Sequence, residues 1–239
     1  MKNNAKFQLI YLLLFCVFSF AEDIWDFSAK IGINLGGTMP RPMPNNISKV
    51  ENYSSSLAPT IEVEALRWIN EKIGVSAGIR SDSKGMKSTV SVKEYSMSIF
   101  PQKSEKFNGM VDTEMNFNYL GLPVLAHYAF TESFSVYAGA YYAYLVSGEF
   151  KGATCDGGSL NTGYNIIPNV PRMEYDFSNE LRHHDAGFSI GMNFLPYNEH
   201  LLLSFDLNYG LLSVFPSDFN GISDDMQNVY GKFSVGYLF

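Results

Sequence analysis

The 239-residue chain is poor in charge, in cysteine and in long apolar runs. Charged residues make up 17% of it, below the quarter that is typical of soluble domains. Of its two cysteines only Cys155 lies outside an N-terminal stretch that we expect to be removed, so an intrachain disulfide is excluded. Beyond that stretch no apolar run approaches the roughly 20 residues of a transmembrane helix.

The first 21 residues have the layout of a secretory signal peptide. Lys2 and Lys6 precede the apolar run FQLIYLLLFCVFSF, and Ser19-Phe20-Ala21 places small residues at positions −3 and −1 of a cleavage site. We therefore expect residues 1–21 to be a signal peptide cleaved near Ala21, and residues 22–239 to form one domain. An N-terminal membrane anchor is the alternative, which the shortness of the apolar run disfavours.

The net charge argues against nucleic acid as a partner. It is −7 for the full sequence, and cleavage would remove two lysines and no acidic residue, leaving −9. A protein that binds the phosphate backbone needs an excess of basic residues instead.

Aromatic residues, by contrast, are abundant at 15%, and they occur in segments that alternate apolar and polar residues. Such alternation with period two predicts β-strands. Eight segments show it: 24–36, 57–68, 72–80, 114–129, 133–147, 185–195, 201–212 and 231–239. In the fourth segment, Pro123 cannot donate to a ladder, so we expect a bulge or kink there.

The connections between these segments predict the topology. Three are short, and four are long, at 38–56, 81–113, 148–184 and 213–227. Alternation of short and long connections is typical of an outer-membrane barrel, which has short periplasmic turns and long extracellular loops. We therefore predict an all-β fold, an eight-stranded antiparallel up-and-down transmembrane β-barrel. A soluble β-sandwich is the alternative, and it does not account for the alternation of short and long connections.

The two faces of the strands predict an apolar outside and a polar lumen. An eight-stranded barrel has an interior just wide enough for side chains, so its charges must pair with one another. The predicted lumen charge network comprises Asp26, Lys30, Glu62, Glu64, Lys72, Arg80, Asp185, Asp206 and Lys232. Two outward aromatic girdles are predicted, with Trp25, Trp68, Phe130, Phe134, Tyr197 and Phe239 at the turn end and Phe117, Tyr119, Tyr144 and Tyr209 nearer the loops.

The final segment alternates up to the last residue. Phe233, Val235, Tyr237 and Phe239 share one face. A strand of this kind must be paired on both edges, which the barrel achieves by pairing the last strand with the first.

These residues resemble the PorT-like family of small outer-membrane β-barrel proteins. NYLGLPVLAHYAF and FSVYAGAYYAYLVSGEF are similar to the central hairpin of that family, with Gly121 where the family usually has an acidic residue. The resemblance implies a barrel linked to type IX secretion, and it implies that Phe233, Val235, Tyr237 and Phe239 form the signal read by the outer-membrane assembly machinery. It implies no catalytic chemistry.

No motif in the sequence indicates a catalytic, metal or cofactor site. The four histidines lack a recognisable partner motif, and His183 and His184 are adjacent, so on a strand their rings would diverge. The loop at 148–184 is unusually apolar, with Ile166, Ile167 and Phe177 among its residues. It either folds over the barrel mouth or meets a partner outside the cell.

The sequence therefore predicts a non-enzymatic outer-membrane barrel with a plugged polar lumen and a structural or surface-interaction role. Its expected partners are outer-membrane lipid, the assembly machinery and an envelope protein. An accessory part in a secretion or transport assembly is the alternative, followed by a lipid-modifying hydrolase.

The signal peptide and the barrel together predict the location of the protein. The mature chain should begin at Glu22 and fractionate with the outer membrane. Cell fractionation followed by N-terminal sequencing checks both points. Recovery of the protein from the soluble periplasmic extract would contradict the barrel interpretation.

Overall fold

The computed structural model describes residues 25–41, 45–56, 58–96, 105–196, 200–219, 221–222 and 225–239. The predicted signal peptide and Tyr197 lie outside these ranges. The described residues form twelve strands and one 3-10 turn: β1 Trp25–Pro40, β2 Ile47–Ser55, β3 Ala58–Trp68, β4 Ile73–Tyr95, β5 Lys106–Thr131, β6 Phe134–Thr154, β7 Gly158–Asn161, β8 Ile166–Val170, β9 Glu174–Asp176, the turn Ser178–Glu180, β10 His184–Phe194, β11 Leu201–Ser213 and β12 Met226–Leu238. None of the helices in these ranges is long and apolar enough to cross a membrane.

Eight of the strands form a closed antiparallel ring, in the order β1, β3, β4, β5, β6, β10, β11 and β12. The ring closes where β12 returns to β1, with a register that runs from Ser28 opposite Leu238 to Pro40 opposite Met226. At the last residue, the Phe239 N–H donates to the Phe27 carbonyl at 2.9 Å. The predicted eight-stranded up-and-down barrel is confirmed, including the pairing of its last strand with its first.

An apolar band surrounds the ring because alternate side chains of every ring strand point outward. Ile31, Ile61, Ile79, Val124 and Ile190 are each more than half exposed. Isolated apolar side chains are common on soluble proteins, but a continuous band of them around a barrel is the surface that contacts hydrocarbon. The fold is therefore a transmembrane β-barrel. The end that holds the short turns 69–72 and 132–133 is called the turn end, and the opposite end the loop end.

Three ring strands continue well beyond the band at the loop end. β4, β5 and β6 contain 23, 26 and 21 residues, against the roughly 9–11 that cross a bilayer. Their extensions are joined by β2, which pairs with β4, and by the short strands β7, β8 and β9. We call this structure the loop-end sheet.

The prediction of long connections at 81–113 and 148–184 was therefore wrong, since much of both stretches is strand. The physical reason is that the faces exchange polarity. Within the band, β4 directs Arg80 inward and Ile79 outward, whereas further along it directs Met86 inward and Lys87 outward. At the level of Met86 water replaces lipid around the barrel. Side chains still alternate between the two faces of the strand, but the polar ones now point outward and the apolar ones inward.

The reversed faces of the loop-end sheet enclose a second, apolar core. Phe107, Met115, Phe117 and Phe150 are at most 1% exposed within it. The rings of Phe150 and Phe215 meet edge to face with their centres 4.9 Å apart. This loop-end core covers the end of the polar lumen.

Several predicted details do not hold. The β4–β5 register is the same on both sides of Pro123, with Ala77 opposite Val124 and Arg80 opposite Gly121, so there is no bulge at Pro123. The ladder is nevertheless interrupted between these two pairs, as expected for a residue that cannot donate. Phe117 and Tyr119 are buried inside the barrel, because they share the odd-numbered face of β5 with His127. They are not girdle residues.

Trp68 also differs from the prediction. It lies on the inner face of β3 at the turn end, and its Nε1–H donates to Asp26 Oδ2 at 2.7 Å. Trp25, Phe130 and Phe239 remain exposed at that end, as predicted for a girdle.

Removal of Phe239 should harm assembly more than stability. The variant loses one terminal hydrogen bond, which contributes about 1 kcal/mol, and a side chain that is already 74% exposed. It should therefore refold in detergent with a slightly lowered Tm, yet accumulate poorly in the outer membrane. Phe239→Tyr, which keeps an interfacial ring, is the matched control and should behave as wild type. Wild-type levels of the deletion variant in cells would show that Phe239 carries no assembly signal.

Candidate functional site

The lumen contains a layer of ion pairs in the middle of the membrane band. The Lys30 ammonium lies 2.7 Å from Glu62 Oε1 and 2.7 Å from Glu64 Oε2. Lys232 lies 2.5 Å from Glu62 Oε2 and 3.4 Å from Asp206 Oδ2. These side chains come from β1, β3, β11 and β12, so the layer ties together both sides of the β1–β12 closure.

A second group of side chains continues the network toward the loop end. Arg80 Nε lies 2.5 Å from Asp82 Oδ2, and Thr60 Oγ1 donates to Asp82 Oδ1 at 2.6 Å. The Asn34 amide donates to the same oxygen at 3.3 Å. Each charge in this group therefore has a partner, as burial requires.

Lys84 forms the uppermost ion pair, with its Nζ 3.3 Å from Asp185 Oδ2. Asp185 also accepts a hydrogen bond from the Tyr141 hydroxyl at 3.3 Å and one from the Asn228 amide at 3.0 Å. Three tyrosine rings surround the ammonium group, with centres at 4.6 Å for Tyr119, 5.3 Å for Tyr230 and 5.6 Å for Tyr141. Such contacts stabilise a desolvated cation.

The structure buries seven of the nine residues of the predicted network: Lys30, Glu62, Glu64, Arg80, Asp185, Asp206 and Lys232. Asp26 lies at the turn-end mouth, half-buried, where it accepts from the Trp68 indole. Lys72 is exposed in the turn before β4, so it takes no part in the network. Asp82 and Lys84 were missed, because the third segment was ended at Arg80.

His127 meets a serine that sequence reasoning did not identify. Its Nε2 lies 2.8 Å from Ser76 Oγ and 3.6 Å from Glu64 Oε1. In a nucleophilic triad the serine and the carboxylate contact different nitrogens of the imidazole. Here both face Nε2, and the buried Nδ1 has no hydrogen-bond partner among the described residues. The arrangement does not fit a serine hydrolase.

The histidine pair at the start of β10 contacts tyrosine rings. His183 lies with its ring centre 5.8 Å from that of Tyr144, and His184 lies 5.5 Å from the same ring. The two imidazoles do not diverge as predicted, because β10 begins only at His184. Among the residues in the described ranges, no cluster of three or more His, Cys, Asp or Glu could hold a metal ion.

The apolar loop at 148–184 is divided between burial and exposure. Val170, Tyr175 and Phe177 belong to the loop-end core. Tyr164 and Ile166, at the tip of the β7–β8 hairpin, are 96% and 68% exposed. Part of the loop therefore folds over the barrel mouth, as the first alternative predicted, and contact of its exposed tip with a partner stays a prediction.

Cys155, at the end of β6, is a free thiol. Burial and then a hydrogen bond to the Asp112 carboxylate raise the pKa of the Cys155 thiol above its usual value. The thiolate is the reactive form of cysteine, so this thiol is less reactive at neutral pH than an exposed one.

Comparison with known proteins identifies the family. The model of the outer membrane protein beta-barrel domain family matches residues 20–216. The chain belongs to this family. No curated protein matches the sequence.

Several solved structures resemble this family member. The attachment invasion locus protein Ail of Yersinia pestis is 12% identical, with 90% of this chain and 98% of that chain covered and a TM-score of 0.42. OprG of Pseudomonas aeruginosa is 14% identical, with 90% and 96% covered and a TM-score of 0.39. The Neisserial surface protein NspA is 10% identical, with 90% and 95% covered and a TM-score of 0.35.

The Lys84–Asp185 pair allows a clean test of the lumen network. Lys84→Met leaves the Asp185 carboxylate buried without its cation, so it should lower the free energy of unfolding by about 3 kcal/mol. The double variant Lys84→Met/Asp185→Asn removes both charges and should recover part of that loss. Denaturant unfolding of the refolded barrel measures both effects.

Lys87→Met is the matched control for this test. Lys87 pairs with Glu114 at 2.9 Å, but both side chains are about half exposed or more. Its loss should lower the free energy of unfolding by less than about 1 kcal/mol. Equal effects of the Lys84 and Lys87 variants would contradict a desolvated network.

Proposed function

We propose that this protein is a non-enzymatic outer-membrane barrel that acts at the cell surface through its loop-end sheet. The observation that carries the proposal is the contrast between a filled lumen and an exposed apolar hairpin tip. The paired charges buried in the lumen are at most 5% exposed, whereas Tyr164 is 96% exposed. An interior of this kind supports anchoring rather than conduction, and exposed apolar residues on a soluble surface typically mark an interaction site.

Two further features support this proposal. The loop-end core closes the lumen on the side where the loops project. The Ser76–His127 contact, a serine–histidine pair of the kind found in hydrolases, has both the serine and Glu64 on a single imidazole nitrogen. A role as a lipid-modifying hydrolase is correspondingly disfavoured.

The proposal includes the route by which the protein reaches the membrane. Residues 1–21 would direct export and be cleaved near Ala21, leaving a mature domain of residues 22–239. Phe233, Val235, Tyr237 and Phe239 would then be read by the assembly machinery. All four side chains point outward and are between 40% and 74% exposed, which suits recognition of an extended chain and later contact with lipid.

An accessory part in a secretion assembly of the PorT-like type is the second candidate. The sequence stretches that carry the resemblance form β5 and β6, which are adjacent in the ring and both extend into the loop-end sheet. A partner of such an assembly could therefore reach this hairpin from outside the membrane.

Site-specific photocrosslinking in intact cells tests the surface role. A photoreactive amino acid at Tyr164 should capture one or a few discrete envelope proteins. The same group at Ile79, which is 59% exposed in the apolar band, should label lipid instead. Identification of the captured proteins distinguishes a secretion assembly from other envelope partners.

Planar bilayer recordings supply the complementary measurement. The refolded barrel should give negligible current. A steady current of porin size, together with no specific capture at Tyr164, would contradict the proposal.

A further inference from the structure

The barrel wall has a seam at the loop end, between β1 and β2. β1 pairs with β3 only as far as Asn34, opposite Ala58, and from there to Pro40 it pairs with β12 alone. The strand on the other side of the seam is β2, which pairs with β4 and not with β1. In the described part of both strands no backbone ladder joins them, and the hydroxyl of Tyr53 crosses the seam to donate to the Gly36 carbonyl at 2.5 Å.

A cavity of about 180 Å³ lies directly behind this seam. Its walls are mostly apolar and include four methionines, Met39, Met86, Met115 and Met226. Methionine side chains are flexible and polarisable, so they adapt to apolar ligands of different shape.

Several hydroxyl groups in the cavity wall are already bonded within the protein. Thr38 Oγ1 donates to Asn228 Oδ1 at 2.7 Å, and the hydroxyls of Thr113 and Tyr175 lie 2.7 Å apart. A polar ligand would have to compete for these groups, whereas an apolar ligand needs none of them.

The backbone at the seam is shaped so that the cavity can form. Gly36 has a φ of +147°, which favours glycine. A Cβ on Gly37 would lie 2.3 Å from the Met86 sulfur, so a larger residue there would displace the Met86 side chain from its present place in the cavity wall. Register shifts in β2, between Ile47 and Lys49 and again between Val50 and Asn52, turn Val50 and Tyr53 toward the same cavity.

The outer edges of the seam lie at and just beyond the end of the apolar band, because β2 pairs with β4 only from Met86 onward. Leu35, Val50 and Tyr53 are each about half exposed there. The Arg41 guanidinium lies 5.5 Å above the ring of Tyr209, an arginine–tyrosine arrangement that is typical of a membrane interface. The seam therefore opens where the lipid layer borders water.

We propose that this cavity binds the end of a single hydrocarbon chain, supplied by a lipid-like amphiphile that enters sideways through the seam. A cavity of about 150 Å³ accommodates benzene, so this one takes about six or seven carbon atoms. The polar head of the amphiphile stays at the interface near Arg41. This binding site does not depend on the proposed surface role.

The test uses the full-length mature protein in phospholipid vesicles with two photoreactive fatty acids. One carries a diazirine at the end of its chain and the other carries it next to the carboxyl group. After illumination, peptide mapping should find the chain-end probe attached to residues of the cavity wall, such as Met86 and Met115. The carboxyl-proximal probe should instead label the outer edges of the seam, at Leu35, Val50 and Tyr53, and residues near Arg41.

A filled cavity provides the matched variant. Val90→Phe places a larger side chain in the cavity wall and should abolish labelling of Met86 and Met115 by the chain-end probe. Val124→Phe, the same change on the lipid-facing surface of β5, should leave that labelling at the wild-type level.

The proposal is overturned if the chain-end probe labels only the apolar band, or if both probes label the cavity equally. It is also overturned if Val90→Phe folds and labels as wild type. If Val90→Phe does not fold, the labelling patterns of the two probes on the wild-type protein still decide between these outcomes.

Discussion

Every backbone N–H and C=O group in the apolar band needs a partner inside the protein, because hydrocarbon offers none. The β1–β12 ladder meets this requirement by removing the last two strand edges from the membrane-spanning part of the sheet. Closure with eight strands then fixes an interior that only side chains can fill. Since the pleat sends alternate residues to the two faces, an outside built for lipid leaves polar residues for the inside, where the charges must pair.

The level of Lys84 and Met86 divides the molecule into two environments. Below it the barrel is apolar outside and ionic inside, and above it the loop-end sheet is polar outside and apolar inside. Lys84 lies at this boundary, where the tyrosine rings around its ammonium group offer both apolar surface and a favourable electrostatic environment for a cation. A charged layer can therefore lie directly beneath an apolar core without an unpaired charge between them.

Sequence alternation was sufficient to predict the eight ring strands, their closure and the inward face that holds seven lumen charges. It failed beyond Arg80, where the reversal of polarity made strand residues look like a loop and hid Asp82 and Lys84. The Ser76–His127 contact joins residues 51 positions apart, and only the register of β4 against β5 brings them together. The seam depends on β2 pairing with β4 instead of β1, which local periodicity does not encode.

The three strands β4, β5 and β6 each continue from the membrane into the loop-end sheet, with one bulge between β5 and β6 at Asn118 and Tyr119, and this continuity has a mechanical consequence. Antiparallel ladder hydrogen bonds lie perpendicular to the strands, so a pull along the strand axis loads many of them in shear. A hinge between the two regions would instead let the outer part swing and would concentrate the force on a few bonds. The projecting hairpins are thus a stiff stalk, and a load applied at the cell surface is distributed into the wall of the barrel.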